Sequence, residues 1–477
     1  MRRAVAVVAA TAAIIMGGAG TAVAQEDVPG PVALGNPDFT ANVLAPLKVT
    51  DFAAFEEDLK AVADYGVDAV SVDVWWGDVE GAADNRFDWS YYDRVFDLIT
   101  AYGLDIAPIL SFHQCGGNVG DDYTSLLPAW LWPKYENRSV RGVRLGPNGL
   151  QHRSEQGNYS PETVQGWADQ VVENEYRDFA RAFAWHYGDR YAEDVVEINI
   201  SLGPSGELRY PSYNAHDTGT GYPTRGGLQS YSDLAVRDFQ DVTLRKYRNL
   251  RGVNAAWGTT YTDRSQITPP ADAETFFTSR AYIDSQYGRD FVDWYNGSLV
   301  DHGERMIETV TRAIGRSFPA ADIGYKVPGI HWTMTNPVNP RATEVTTGLI
   351  QTSVDLNARA TGHGYQRIID LANRVDVRGR TVAVHFTALE MDDQDYAPQY
   401  SLAKTLVGWF GQYAYDAGVE LKGENALNGG LYGEQGWTNI NDAFDTWGYL
   451  GLTVLRMSDV SEGFPAERYA QFIDKYR

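Results

Sequence analysis

The chain has 477 residues, of which 63 are acidic and 40 are basic, giving a formal net charge of −23. That much negative charge argues against a nucleic-acid-binding protein or a protein drawn to anionic membranes, because either partner would repel it. Apolar residues make up 44% of the chain, enough for a large core, and a single cysteine, Cys115, excludes an internal disulfide and a cysteine-based metal centre.

The first 24 residues have the features of an export signal. Arg2 and Arg3 give a positive start, residues 4–16 form an apolar run, and residues 22–24 are a small-residue cleavage site. The apolar run is shorter than the roughly 20 residues that a membrane-spanning helix needs, which favours a signal peptide over an anchor. The pattern predicts a secreted mature protein that begins at Gln25, exported by the general or the twin-arginine route.

After a flexible lead over residues 25–36, short apolar runs alternate with amphipathic stretches. The first helix is indicated by an apolar stripe that includes Phe55 and Leu59, and a later helix is predicted over residues 402–417. Eight buried strands are predicted, over residues 41–45, 69–74, 105–111, 195–201, 323–327, 382–386, 419–423 and 452–455.

Eight strands with helical crossovers, on a chain of this length, predict a single α/β domain over residues 37–477 that forms a (β/α)8 TIM barrel. A doubly wound open sheet is the alternative. Long connections follow the third and fourth strands, and in a barrel such insertions gather at the C-terminal face, where active sites lie. The sequence contains no later segment apolar enough to cross a membrane and no linker that separates a second domain.

Polar side chains stand at or just after the carboxyl ends of seven predicted strands. They are Asp73, His113, Glu207, Lys326, Thr387, Glu424 and Arg456. Any one of them alone is explained as a structural ion pair or a hydrogen-bonded core residue. The whole set is hard to explain as scaffold, because a barrel brings these strand ends to one cavity.

Two glutamates carry the most chemical information. Glu207 lies in a loop rich in Gly and Pro, and Glu424 directly follows an apolar strand. Paired carboxylates cleave glycosidic bonds, with retention when they are about 5–5.5 Å apart and inversion at about 6.5–9.5 Å. Sequence gives neither the distance between the two carboxylates nor which of the two glutamates is the acid. Arg209 either lowers the pKa of Glu207 and suits it to be a base or points away, so the residues by themselves indicate a barrel glycosidase.

Residues 112–121 form a glycine-rich segment without a phosphate-binding motif. A lid that brings Asp121 over the substrate is favoured over a flexible surface turn. Cys115 lies in this segment without an evident base partner, so we interpret it as a buried or half-buried thiol and not as a nucleophile.

Several motifs resemble those of one known family. Residues 113–121 (HQCGGNVGD) and 206–213 (GELRYPSY) resemble the two signature segments of the β-amylases. Four further segments resemble motifs of that family and occur in the same order: residues 72–77, 329–332, 386–391 and 423–427. The resemblance runs from about residue 44 to the C-terminus and is closer to the bacterial than to the plant branch. It implies a barrel enzyme that releases β-maltose, with inversion, from the non-reducing ends of starch and related α-1,4-glucans.

The resemblance also implies roles for individual residues. Glu207 matches the general acid of the family, and Glu424 matches the base that activates water. Residues 116–123 correspond to the lid and residues 386–392 to an inner loop that shifts when substrate binds. The positions that hold the glucose units are matched by Asp73, His113, Asp121, Lys326, His331, Thr387, Asn425, Ala426 and Arg456.

Some features differ from the family pattern or vary within it. Ala388 replaces a cysteine that is common in the inner loop, and no C-terminal starch-binding domain is evident, so binding to raw granules is in doubt. Bacterial relatives can carry one calcium ion, and oxygen-rich side chains suit that metal. Five residues of this chain resemble the ligands of that calcium ion: Glu80, Asp84, Asn85, Glu175 and Asp178. Asp178 stands where a glutamate is expected, and a solvated acidic face is the alternative.

We therefore expect an exo-acting hydrolase of this family that acts on starch and maltooligosaccharides and needs no organic cofactor, and the acidic surface suggests a monomer. A sugar-binding barrel that has lost catalysis is the alternative from another class. Such a protein could lack Glu207, Glu424 or the lid, and this sequence has all three. A third hypothesis is a retaining glycosidase acting on β-linked sugars, which retained product configuration would support.

Overall fold

A computed structural model describes residues 28–117, 121–213, 216–222, 225–330 and 341–477. The predicted signal peptide lies outside these described residues, and so does His331. The strands within the described ranges are β1 (Thr40–Leu44), β2 (Ala69–Trp75), β3 (Asp105–Ser111), β4 (Ser139–Val140), β5 (Val143–Arg144), β6 (Gln151–Arg153), β7 (Tyr159–Val164), β8 (Glu197–Ile200), β9 (Asp322–Val327), β10 (Val382–Thr387), β11 (Asp393–Gln394), β12 (Ser401–Leu402), β13 (Glu420–Glu424) and β14 (Gly451–Val454).

Helices connect these strands and surround the sheet that they form. In chain order they are α1 (Phe52–Asp64), α2 (Trp76–Glu80), α3 (Ser90–Ala101), α4 (Leu131–Tyr135), α5 (Asp169–Tyr187), α6 (Asp233–Tyr247), α7 (Leu250–Trp257), α8 (Ala273–Thr278), α9 (Ala281–Asp284), α10 (Gln286–Ile314), α11 (Thr343–Thr346), α12 (Gln366–Arg374), α13 (Ala403–Ala417), α14 (Glu434–Trp447) and α15 (Gly463–Tyr476). In the part of the chain that the structure describes, we find no helix with the length and apolar character needed to cross a membrane.

Eight strands close into a parallel barrel in the order β1-β2-β3-β8-β9-β10-β13-β14. Strand β1 pairs with β2 on one side and with β14 on the other, so the barrel has no free edge. The remaining strands form two-stranded pairs in the connections. The prediction of a (β/α)8 barrel is therefore confirmed, and the open doubly wound sheet is excluded.

The local sequence explains the barrel strands and their helices. Strand β3 is buried along almost its whole length because the outer helices cover one face and the barrel interior fills the other. Helix α1 begins after Asp51, whose carboxylate accepts hydrogen bonds from two backbone N–H groups of the first turn. Its apolar stripe, which includes Phe55 and Leu59, is buried against the barrel as the spacing predicts.

Strand boundaries differ slightly from the sequence prediction. The fourth barrel strand is predicted over 195–201, whereas the regular strand spans only Glu197–Ile200. Asp73 lies two residues before the end of β2 and does not close it. Its side chain still reaches the carboxyl end of the barrel, because Ser111 Oγ, at the end of β3, donates a hydrogen bond to Asp73 Oδ1 at 2.8 Å.

The two long connections form the wall behind the predicted site. Tyr210 is buried there and stacks on Tyr295 of α10 with ring centroids 4.1 Å apart, and on Trp167 at 5.5 Å. Trp294 stacks on the other side of this group, 5.5 Å from Trp167. These rings bury a large apolar area and fix the backbone three residues after Glu207.

Candidate active site

The carboxyl ends of the barrel strands bring the predicted polar residues into one charged cluster. His113 interacts electrostatically with Asp73, Arg209 and Lys326. The Glu207 carboxylate interacts with that of Glu424 and with the hydroxyl of Thr387. Residues spread between positions 73 and 424 therefore belong to one electrostatic cluster, as the strand-end pattern predicts.

A tight loop holds Glu207 at the barrel mouth. Gly206 has φ +79°, a left-handed conformation that glycine adopts without cost. Gly203 has no room for a side chain, because a Cβ there would lie 2.4 Å from the carbonyl oxygens of Glu207 and Arg209. The backbone N–H of Leu208 donates to the carbonyl of Lys326 at 2.8 Å and joins the loop to β9. Gly203 and Gly206 are therefore required by the geometry of this loop.

The environment of Glu207 favours a protonated carboxyl group. Burial raises the pKa of Glu207 above its ordinary value, and the nearby carboxylate of Glu424 acts in the same direction. Arg209 opposes this shift, since its Nε donates a hydrogen bond to Glu207 Oε2 at 2.8 Å. The Thr387 hydroxyl donates to the other oxygen at 3.3 Å. Arg209 thus points at the carboxylate, and burial outweighs its effect.

Glu424 is also a buried carboxylate beside a cation. Its side chain is 5% exposed, and the Lys326 ammonium lies 2.6 Å from Oε1 and donates a hydrogen bond to Oε2 at 2.9 Å. An opposite charge at this distance stabilises the carboxylate anion. Oε1 is buried, and among the described residues no donor is aligned for a hydrogen bond to it. Both glutamates are therefore buried beside a cation, Arg209 at Glu207 and Lys326 at Glu424.

His113 is a neutral hydrogen-bonding group. Burial lowers the pKa of His113 to about 4, despite the opposing carboxylate of Asp73. Its Nδ1 lies 2.8 Å from Ser201 Oγ, and its ring meets Trp75 edge-on at 5.1 Å. A neutral imidazole with one nitrogen engaged leaves the other nitrogen for a sugar hydroxyl.

The ends of the predicted lid are anchored, while residues 118–120 within it lie outside the described residues. Cys115 and Ser125 form a backbone bridge. Asp78 accepts hydrogen bonds from the Tyr123 hydroxyl at 2.9 Å and from Ser125 Oγ at 2.7 Å. Burial raises the pKa of the Cys115 thiol to about 12, and the carboxylate of Asp121 adds to the shift. Its chemistry is that of a buried thiol and not of a nucleophile.

The inner loop and the segment after β13 are tied together by Glu390. Its buried carboxylate accepts hydrogen bonds from the backbone N–H groups of Ala426 and Leu427, both at 2.9 Å. The Asn425 side chain binds the backbone of Leu455 through its amide nitrogen at 2.9 Å and its oxygen at 2.8 Å. These contacts fix the three residues that directly follow Glu424.

Sequence reasoning gave no role to two residues that organise this site. Asp78 follows Trp75 and Trp76, and Glu390 lies within a family motif, yet neither stands at a strand end. In the sequence each is a carboxylate next to apolar residues. Many surface residues show the same pattern, so it does not mark a functional residue. Arg456, which was predicted, donates to the carbonyl of Ala45 at 3.0 Å and so links the last barrel strand to the first.

The predicted calcium ligands lie on the outside of the barrel, around the end of α2 and along α5. Glu80 accepts from the Trp76 indole at 2.7 Å and from the backbone N–H of Asn85 at 2.6 Å. Asp178 contacts Arg177 at 3.4 Å. Within the described ranges no group of three acidic, histidine or cysteine side chains is arranged to hold a metal ion. As they stand, these residues do not fit calcium.

Replacing Arg209 tests its effect on Glu207, the predicted general acid. In an Arg209→Met variant we expect the alkaline limb of kcat/KM to move to higher pH, because loss of the guanidinium raises the pKa of Glu207 and keeps it protonated longer. The lost charged hydrogen bond also lowers kcat by at least about tenfold. The measurement is a pH–rate profile on soluble starch. Arg209→Lys retains the charge and serves as the control, and an unmoved alkaline limb in Arg209→Met would contradict the expectation.

Comparison with known proteins places the chain in a family. The pattern of Glycosyl hydrolase family 14 matches residues 42–477. A thermophilic β-amylase from Thermoanaerobacterium thermosulfurigenes is 36% identical over 442 residues, which cover 92% of this chain and 74% of that protein. The β-amylase from Niallia circulans is 38% identical over 442 residues, covering 91% of this chain and 70% of that protein.

A solved structure agrees with these matches. The crystal structure of the catalytic domain of β-amylase from Paenibacillus polymyxa superposes with a TM-score of 0.80 at 36% identity, covering 92% of this chain and 99% of that one. The match spans the barrel and its long connections together. The chain therefore belongs to glycosyl hydrolase family 14 and is a hydrolase of the bacterial β-amylase type.

Proposed function

We propose that this enzyme releases β-maltose from the non-reducing ends of starch and related α-1,4-glucans, with inversion at the anomeric carbon. The observation that carries the proposal is the pair of buried glutamates at the barrel mouth. Burial raises the pKa of Glu207, whereas Glu424 lies 2.6 Å from the ammonium of Lys326. The names and identity of the bacterial relatives support β-amylase activity.

In the proposed reaction Glu207 is the general acid and Glu424 is the general base. Glu207 gives its proton to the glycosidic oxygen as the bond from that oxygen to the anomeric carbon breaks. A water molecule attacks the same carbon from the opposite face and loses a proton to Glu424. One displacement on an α-linked substrate yields a β-configured product. At the end of the reaction Glu207 is ionised and Glu424 carries the proton.

The other residues that match family positions are proposed to hold the glucose units and to exclude bulk water. The proposed set is Asp73, His113, Asp121, Lys326, His331, Thr387, Asn425, Ala426 and Arg456. His113 is neutral, and one of its ring nitrogens lies within hydrogen-bond distance of Ser201 Oγ. The other ring nitrogen is suited to bind a hydroxyl group. Closure of the lid would bring Asp121 over the sugar and strengthen the electrostatic interactions inside the site.

We further propose that the protein is secreted after cleavage near Ala24. The positive start, the apolar run and the small residues before Gln25 support export. The protein for the activity test is therefore taken from the culture medium of an expressing bacterium, and its first residue is expected to be Gln25.

The test follows the anomeric protons of the first product by NMR, with soluble starch as the substrate. We expect maltose to appear first as the β-anomer and to mutarotate afterwards. Maltose that appears first as the α-anomer would indicate retention and overturn the assignment of an inverting pair. Absence of product with intact maltose binding would indicate a sugar-binding barrel.

A further inference from the structure

A lysine side chain lies among the residues that resemble calcium ligands. Lys134, on α4, places its Nζ 2.6 Å from Asp84 Oδ2 and 2.7 Å from Glu175 Oε1. Its ammonium also lies 5.1 Å from the centre of the Trp130 ring and 5.7 Å from that of Tyr135. Two carboxylates and two aromatic rings thus lie around the Lys134 ammonium, whose side chain is 33% exposed.

Several other oxygen atoms of the cluster already accept hydrogen bonds. Both carboxylate oxygens of Glu80 are engaged, by the Trp76 indole and by the backbone N–H of Asn85. Asp84 Oδ1 accepts from the Asn85 side chain at 2.9 Å, and the hydroxyl of Tyr135 donates to Glu175 Oε1, the oxygen that Lys134 also contacts. Calcium requires six to eight oxygen ligands, and these oxygens face N–H and O–H donors instead.

The fifth residue of the set points toward other charges. Asp178 Oδ1 lies 3.4 Å from Arg177 Nε and 3.6 Å from Arg181 Nη1. Asp178 is also one carbon shorter than the glutamate expected at this position. The cluster therefore keeps three neighbouring carboxylates, those of Glu80, Asp84 and Glu175, which need a positive charge between them.

We infer that the Lys134 ammonium is the permanent cation of this cluster and replaces calcium in this chain. The ammonium joins three separate parts of the fold: the turn after α2, the short helix α4 and the buried Glu175 of α5. Glu175 is only 4% exposed, so its carboxylate depends on a fixed partner. A lysine in this place joins these three parts of the fold as a metal ion would. Its effect does not depend on the calcium concentration outside the cell.

The first test uses the unmodified protein and does not depend on activity. After treatment with a chelator and desalting, we expect calorimetric titration with calcium chloride to show no saturable binding up to millimolar concentration. The melting temperature is expected to be the same in chelator and in millimolar calcium. Binding of one calcium ion per chain, together with a lower melting temperature in chelator, would overturn the inference.

The second test removes the ammonium. A Lys134→Met variant is expected to melt about 3 °C lower, because the buried carboxylate of Glu175 loses its partner. Added calcium is expected to restore part of this loss, since the carboxylates then lack a cation. The control is Lys475→Met, which breaks an exposed 2.6 Å pair with Asp445 beside an aromatic ring. If Lys134→Met melts no lower than this control, the inference is wrong.

Discussion

Replacing Glu424 with glutamine is expected to lower kcat on soluble starch by at least about 10³-fold, because the amide cannot take a proton from the attacking water. Glu207→Gln is expected to cause a similar loss, since the leaving oxygen is then not protonated. The two variants differ on α-maltosyl fluoride, whose fluoride leaves without a proton. Glu207→Gln should regain most of its rate on this substrate, whereas Glu424→Gln should not.

Both variants keep the shape of the side chain but take the charge from a buried ion pair, so folding is checked by the melting temperature and by maltose binding before rates are compared. Glu434→Gln serves as the control, because its carboxylate is 68% exposed and pairs only at the surface. The rates are measured by fluoride release and by maltose release in parallel. If Glu424→Gln recovered on the fluoride and Glu207→Gln did not, the assigned roles would be exchanged.

The second large effect is expected in the barrel interior, one layer below the proposed catalytic residues. Glu197 is 3% exposed there and lies 2.8 Å from Lys422 Nζ and 2.7 Å from His385 Nε2. Burial alone would raise the pKa of Glu197, but His385 and Lys422 outweigh burial and hold it well below its ordinary value. Gly324 gives Glu197 its space, since a Cβ there would lie 2.7 Å from Glu197 Oε1.

A Lys422→Met variant is expected to lose about 3–5 kcal/mol of unfolding free energy, because a buried carboxylate is left with one partner fewer. The measurement is urea unfolding followed by tryptophan fluorescence, with Lys475→Met as the exposed control, for which a loss below about 1 kcal/mol is expected. Lys422 lies two residues before Glu424 on β13, so its side chain points to the same barrel interior. Equal stability of the two variants would show that the cluster contributes nothing to the fold.

The large-scale organisation follows from the sequence. Parallel strands buried on both faces require near-continuous apolar runs, and eight such runs with helices between them left few alternatives to a barrel. The ends of those runs also located Glu207 and Glu424, because a barrel brings all carboxyl ends of its strands together. The glycines at 203 and 206 belong to a segment that sequence alone marked as special.

The three-dimensional arrangement decided how those residues differ from one another. Sequence left open whether Arg209 contacts Glu207, and the structure gives a 2.8 Å hydrogen bond whose effect burial outweighs. Sequence also gave no partner for Glu424, and the structure places the Lys326 ammonium beside it, a neighbour 98 residues away in sequence.

Sequence by itself determined the family, the barrel and the positions of the two glutamates, since these depend on local apolar patterning and on motifs that are continuous in the chain. Tertiary structure decided the charge environment: the Glu197, His385 and Lys422 cluster, the anchoring role of Glu390, and the lysine among the predicted calcium ligands. The physical reason is that electrostatic interactions act over a few ångströms in space. Residues that share a charge environment come from strands and helices far apart in sequence, and only folding brings them within that range.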